Sequence, residues 1–96
     1  MFLEKYIDRF YFDLVLNNYE ESYLNTLDET NFKKIYELFK SYDFYFINDI
    51  ILNYLEIFEI DYEGIKEKIN LLKEKLGDNF VYKIGNDMTY LDELLK

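Results

Sequence analysis

Apolar residues recur every three or four positions through most of the chain, and this spacing is clearest between Phe44 and Gly77. Such spacing puts apolar side chains on one face of an α-helix, so it predicts amphipathic helices. We expect one helix over residues 46–60 and a second over residues 65–76, joined by a short acidic turn. Asp61 is a candidate N-cap in that turn, and Gly77 stands where a left-handed C-cap would end the second helix.

The same spacing on both sides of this stretch extends the helical prediction. Residues 2–24 are predicted to be helical, with a break near Asn17 and Asn18, and residues 32–42 follow a polar loop. Asp28 or Thr30 can cap the helix after that loop.

The secondary structure of residues 80–84 is ambiguous from sequence, because their apolar and polar side chains partly alternate, as in a short strand. A helical turn or two, stopped by Gly85, is the preferred interpretation, with Asp87 capping a last short helix through Leu95. The chain of 96 residues is long enough for one modest core. We therefore predict a single all-α domain over residues 1–96, a small bundle or short solenoid of about five to six helices arranged as helical hairpins.

A shift of the sequence by 34 residues brings apolar positions into register across a predicted helix break. The matched pairs are Ile35/Ile69, Leu38/Leu72, Tyr42/Leu76, Phe46/Phe80, Ile47/Val81, Ile50/Ile84, Tyr54/Met88, Ile57/Leu91 and Ile60/Leu94. A register that persists across a break predicts a helical repeat. The N-terminal part is less regular, as expected of an end repeat that must be partly capped.

The formal net charge is −9 and the pI is about 4.4. The charged residues are distributed unevenly along the chain. No Lys or Arg occurs between Phe10 and Phe32, or between Ser41 and Ile65. Lysines cluster in the segments that follow these two stretches, at positions 33, 34, 40, 66, 68, 73 and 75. Because alternate helices of stacked hairpins line opposite faces, we expect one acidic face and one mixed face.

Several classes of catalytic and metal site are excluded by composition, because the chain has no Cys and no His. Zinc sites, Cys–His dyads and Ser–His–Asp triads all need one of these residues. The acidic group at Glu56, Glu59, Asp61 and Glu63 lacks the spacing of a calcium loop, and a solvated helix end is the preferred interpretation. We therefore predict no enzyme activity, no cofactor and no metal.

The absence of cysteine also predicts a reducing compartment. The first residues carry charge and no apolar segment follows them, so we do not expect a signal peptide, and no apolar run approaches membrane length. Our expectation is a cytoplasmic protein with no membrane contact.

A family resemblance is carried by four segments in the last two-thirds of the chain. These segments are IILNYLEIFEID, IKEKINLLKEKLG, FVYKI and MTYLDELL. Their pattern resembles the helical repeats of the mitochondrial transcription termination factor family and its shorter bacterial relatives. The resemblance implies a helical-repeat fold and, for those family members that bind nucleic acid, a basic groove. An acidic chain opposes that last implication, because binding phosphates draws on Lys and Arg.

These features favour a non-enzymatic protein-binding module. In its sharper form the acidic helical face blocks a basic, nucleic-acid-binding surface of another protein, as a phage-type anti-CRISPR or antirestriction inhibitor does. Amino-acid usage that leans towards Ile, Asn, Lys, Phe and Tyr indicates an AT-biased genome, such as that of a low-GC bacterium or its phage. The predicted contact residues are Asp43, Asp49, Glu56, Glu59, Asp61 and Glu63, with Tyr45, Tyr54 and Tyr62 as ring contacts.

Two alternatives remain open. The first is a helical-repeat protein that binds nucleic acid through its lysine-bearing face, although the net charge makes direct binding unfavourable. The second is a homo-oligomer in which the open ends of the repeats stack.

Overall fold

Helices are the only regular elements in the computed structural model, which describes residues 1–96. The α-helices are α1 (Arg9–Asn18), α2 (Glu21–Leu24), α3 (Glu29–Ser41), α4 (Ile47–Asn53), α5 (Tyr62–Leu76) and α6 (Phe80–Asn86). Three 3₁₀ helices span Phe2–Lys5, Leu55–Glu59 and Met88–Leu95. The predicted all-α fold is confirmed, and residues 80–84 are helical, not a strand.

Aspartate side chains begin four of these helices. Asp8, Asp28, Asp61 and Asp87 each accept a hydrogen bond from a backbone N–H two or three residues ahead. Such a carboxylate satisfies a donor that the first helical turn leaves unpaired, and it interacts favourably with the positive end of the helix dipole. Asp61 and Asp87 were predicted as caps from sequence, Asp28 was one of two candidates with Thr30, and Asp8 was not predicted.

The prediction of one continuous helix over residues 46–60 is wrong. The chain leaves helical geometry at Tyr54, with φ −135° and ψ 39°, and α4 gives way to the 3₁₀ helix Leu55–Glu59. The physical reason is packing against α3, where the ring of Phe58 stacks on Phe32 with 4.4 Å between centroids. Both rings are almost completely buried, so tertiary contacts override the local helical period.

Residues 2–24 are also more divided than predicted. A turn over residues 6–8 separates the first 3₁₀ helix from α1, and Tyr19 and Glu20 are extended between α1 and α2. The break therefore lies just after the predicted Asn17–Asn18 position.

The two glycines near the helix ends behave differently from expectation. Gly77 is the C-cap of α5 with a positive φ of 86°, but its ψ of −166° is extended, so the cap is not left-handed helical. Gly85 lies in the last turn of α6, which ends one residue later at Asn86, so Gly85 is not itself the terminating residue. A Cβ at position 85 would lie in contact with the hydroxyl of Tyr45, so the site needs glycine for a close approach.

The core is one cluster of 25 buried residues, all of them hydrophobic. No polar or charged residue is buried, and no buried side-chain polar atom lacks a hydrogen-bond partner. No helix combines the length and apolarity needed to cross a bilayer.

The order α-helix, α-helix, 3₁₀ helix occurs twice, first from Glu29 and again from Tyr62. Each element of the second set begins 33 residues after its counterpart in the first. None of the nine apolar pairs matched by the 34-residue shift contains an exposed residue. The two long helices, α3 and α5, pack against each other.

Asn31 joins these two sets of helices. Its Nδ2 donates to the carbonyl oxygens of Phe58 and Ile60, at 3.0 and 2.8 Å, and its Oδ1 accepts from the N–H of Tyr62 at 3.1 Å. One half-buried amide on α3 therefore holds the end of the second 3₁₀ helix and the start of α5.

Candidate protein-binding surface

The nine predicted contact residues do not all line one surface depression. Glu59 and Asp61 line one, Asp43 and Tyr45 a second, Tyr62 a third and Glu63 a fourth. The third depression is also lined by Lys33 and Lys34, and the fourth by Lys66. Tyr62 and Glu63 therefore lie beside the lysine-bearing surface of α3 and α5, which we call the mixed surface.

Glu59 is held by a tyrosine that is distant in sequence. The hydroxyl of Tyr23 on α2 donates to Glu59 Oε2 at 2.6 Å. Burial, followed by this hydrogen bond and the nearby carboxylates, raises the pKa of Tyr23 above its ordinary value. The neutral phenol is therefore the form that the fold stabilises here.

Tyr19 lies against Tyr23, with ring centroids 5.7 Å apart and an interplanar angle of 27°. Burial raises the pKa of Tyr19, and the negative charge of Glu56 contributes in the same direction. The structure thus brings residues 19–23, from one stretch without bases, together with residues 56–59 from the other. This juxtaposition was not predictable from either stretch alone.

Asp28, Glu59 and Asp61 surround an open depression of about 360 Å³ beside this contact. Asn31 and Phe58 also line it, and no lysine or arginine does. The carboxylates of Asp28 and Asp61 already cap α3 and α5, so their positions are set by the helix ends.

Few of the chain's acidic side chains are neutralised by ion pairs. The four ion pairs join Glu4 to the N-terminus, Glu29 to Lys5, Asp13 to Arg9 and Glu93 to Lys96. None of the six predicted contact acids is in an ion pair, and all are at least partly exposed. Their charge is available to solvent or to a partner.

The remaining predicted contacts have mixed exposure. Asp49 and Tyr54 are half-buried, and burial, followed by the charges of Asp92 and Asp87, raises the pKa of Tyr54. Tyr62 is half-buried and lies with Lys33 and Lys34. Burial also raises the pKa of Tyr6, which gives four such tyrosines in all: Tyr6, Tyr19, Tyr23 and Tyr54.

Two exposed tyrosines lie close together, and only one of them was predicted from the sequence to be a contact residue. Tyr45 was predicted as a contact and is 64% exposed, whereas Tyr82 was missed and is 67% exposed. Their ring centroids lie 6.3 Å apart. No local pattern connects them, because they come from the loop before α4 and from α6.

Several lysines of the mixed surface are engaged within the chain. Lys68 Nζ donates to the carbonyl oxygens of Leu94 and Lys96, at 3.3 and 2.6 Å. Lys40 and Lys73 lie over aromatic rings, each with Nζ 5.7 Å from the ring centroid. These contacts reduce the number of lysines that are free to bind an anion.

No group of three or more acidic side chains is arranged to hold a metal ion. Comparisons of the chain with protein-family models, with curated proteins and with solved structures found no match. The assignment of function therefore depends on the surface described above.

Proposed function

We propose that this protein is a non-enzymatic protein-binding module whose acidic surface binds a basic surface of another protein. The acidic surface is defined here as Glu20, Glu21, Asp28, Glu56, Glu59 and Asp61. The observation that carries the proposal is the hydrogen bond from Tyr23 to Glu59, which brings the two base-free stretches into contact. In the sharper form, the partner is a nucleic-acid-binding protein of the CRISPR or restriction type, and the module blocks its cleft.

The electrostatics support this choice of partner. None of the six acids has an ion-pair partner, and the net charge of −9 adds a long-range field of the same sign. Complementary charge raises association rates and excludes acidic competitors more than it adds affinity. A basic cleft that normally binds phosphates is the complementary surface.

A helical-repeat scaffold is the second part of the proposal. It is supported by the recurrence of the helix order at a spacing of 33 residues and by the burial of the paired apolar positions. A repeat of this kind holds charged side chains at regular intervals on a rigid surface. The resemblance to mitochondrial transcription termination factor repeats stays a prediction, and the same recurrence of the helix order supports it.

The alternative, direct nucleic-acid binding, has one observation in its favour. Lys33 and Lys34 lie without ion pairs beside Tyr62, at an open depression of about 480 Å³. With Lys40, Lys68 and Lys73 engaged in the chain, few cations remain for a phosphate backbone. The salt-sensitive affinity that such binding requires would therefore be small.

Charge reversal on the acidic surface tests the proposal. In the variant Glu20→Lys/Glu21→Lys/Glu56→Lys, three exposed acids with no side-chain hydrogen bond are reversed. The matched control is Glu37→Lys/Glu67→Lys/Glu74→Lys, which makes the same change in net charge on α3 and α5. Capture of basic proteins from a bacterial lysate is expected to be lost in the first variant and retained in the control.

The captured protein is then tested for binding to a DNA duplex in the presence of this chain. Displacement of the duplex supports the blocking mechanism. Equal loss of capture in both variants would show a nonspecific charge effect and contradict the proposal. A gel shift of DNA or RNA by this chain alone at physiological ionic strength would instead favour the alternative.

A further inference from the structure

Two of the eleven tyrosines differ from all the others in exposure. Tyr45 and Tyr82 are the exposed ones, and the other nine are half-buried against the core. The two exposed rings lie 6.3 Å apart with an interplanar angle of 46°, although the residues are far apart in sequence.

The position of Tyr45 is built into the fold. Its hydroxyl end lies over Gly85 of α6, in space that a Cβ would occupy. Its ring also meets Phe46 edge to face, with 4.9 Å between centroids and an interplanar angle of 85°. The ring of Tyr45 therefore contacts α6 and Phe46, while most of its surface stays open to a ligand.

A carboxylate without an ion pair lies beside Tyr45, in a surface depression that Tyr82 does not line. Asp43 lines the same depression as Tyr45, is exposed and has no ion-pair partner. The one lysine in that depression, Lys40, already lies over a different ring, that of Tyr36, at 5.7 Å. The same depression therefore already contains a contact between a cation and a tyrosine face.

Lys83 is the other lysine close to the pair in sequence. Its Nζ donates to the carbonyl oxygen of Leu76 at 2.7 Å, so this ammonium group is engaged at the end of α5. The exposed faces of Tyr45 and Tyr82 thus have no cation of this chain over them.

We infer that the Tyr45–Tyr82 pair binds an arginine side chain of a basic partner segment. A guanidinium plane stacks on tyrosine faces, which a lysine ammonium does less well, and the Asp43 carboxylate beside Tyr45 attracts its positive charge. Aromatic anchors of this kind commonly carry much of the binding energy of an interface. The inference rests on the proposed function, since it specifies one contact that the basic partner makes.

The test uses the full chain and labelled peptides of about ten residues, in which glycine alternates with arginine, lysine or neutral citrulline. Tyr82 is the residue to vary, because its ring is exposed and no close approach depends on it. Binding of the arginine peptide is expected to weaken about two- to five-fold in Tyr82→Leu, the range for an exposed cation–π contact. Tyr82→Phe keeps the ring and is expected to restore binding to within about two-fold.

Phe10→Leu is the matched control, because Phe10 is an aromatic residue with similar exposure, 68%, and lies on α1. The inference is overturned if Tyr82→Leu binds as tightly as the original chain, or if Phe10→Leu weakens binding as much. It is also overturned if the lysine peptide shows the same dependence on the ring, or if a single-stranded oligonucleotide does.

The outcome is separable from that of the proposed function. If the arginine peptide is insensitive to Tyr82 but lysate capture depends on Glu20, Glu21 and Glu56, the arginine site fails and the acidic surface stands. If capture fails while the peptide still requires the ring, the proposed function fails and the arginine site stands.

Discussion

Asn31 provides the most specific test of how the fold is held together. Its side-chain amide makes three hydrogen bonds, at 2.8 to 3.1 Å, to backbone groups of Phe58, Ile60 and Tyr62. Asn31→Ala removes all three at once. A typical protein hydrogen bond contributes about 0.5–1.5 kcal/mol net, so the upper limit of the loss is about 4.5 kcal/mol. Because Asn31 is only half-buried, water replaces part of this, and we expect a loss of about 2 kcal/mol.

A loss of that size corresponds to a decrease in Tm of about 8–16 °C for a domain of this length. Urea unfolding followed by circular dichroism measures the free energy of unfolding directly. The matched control is Asn53→Ala, since Asn53 is exposed and its amide makes one hydrogen bond, to the Asp49 carbonyl within α4. We expect the control to change stability by about 0.5 kcal/mol or less.

Asn31→Asp separates the donor role of the amide from its acceptor role. The introduced carboxylate can still accept from Tyr62, but it faces the carbonyl oxygens of Phe58 and Ile60. This repulsion raises the folded-state pKa of the introduced carboxyl above its unfolded value of about 3.9. The loss of stability relative to the original chain is therefore smallest below that pH and grows as the pH rises through the folded-state pKa. If Asn31→Ala is no more destabilising than Asn53→Ala, the bridging role is wrong.

Three further predictions concern packing and titration. Gly85→Ala is expected to cost up to about 1 kcal/mol, because its methyl group meets the Tyr45 hydroxyl and the exposed Tyr45 side chain can turn aside. Gly64→Ala meets only an ordinary contact at 3.7 Å and should stabilise α5 by up to about 1 kcal/mol. Equal effects of the two variants in urea unfolding would contradict this. Phe58→Ala is expected to cost about 3–5 kcal/mol in the same assay, and the exposed Phe10→Ala less than about 1 kcal/mol. The four tyrosines with raised pKa values stabilise the fold fully below their unfolded pKa of about 10, and this contribution is lost as the pH rises through the folded values. The stability difference between the original chain and Tyr23→Phe should therefore be constant up to about pH 9 and diminish as the pH rises above about 10, and a difference in urea unfolding that stays constant above about pH 10 would refute the role of that phenol.

Local chemistry made much of the fold predictable. Asp61 and Asp87 were identifiable as caps because a short acceptor side chain before an apolar helix pairs an unmatched N–H within two residues. The C-terminal end of α5 at Gly77 followed from glycine's tolerance of positive φ. These signals act over a few residues, so the sequence contains them completely.

The break at Tyr54 was not predictable in the same way. Apolar residues continue through it with helical spacing, and the change to a 3₁₀ helix depends on how Phe58 packs on Phe32 of α3. The role of Gly85, which was predicted to stop a helix, was not predictable for a related reason. Its role depends on the ring of Tyr45, which approaches from another part of the chain.

The sequence by itself determined the helical class, the helix caps and the two stretches without basic residues. Only the tertiary structure decided which side chains of those stretches meet. The contacts of Tyr23 with Glu59, of Tyr45 with Tyr82, and of Asn31 with the start of α5 all join residues at least 31 positions apart. Such contacts depend on the packing angles and offsets of whole helices, which come from the fit of the shared core and not from any local pattern.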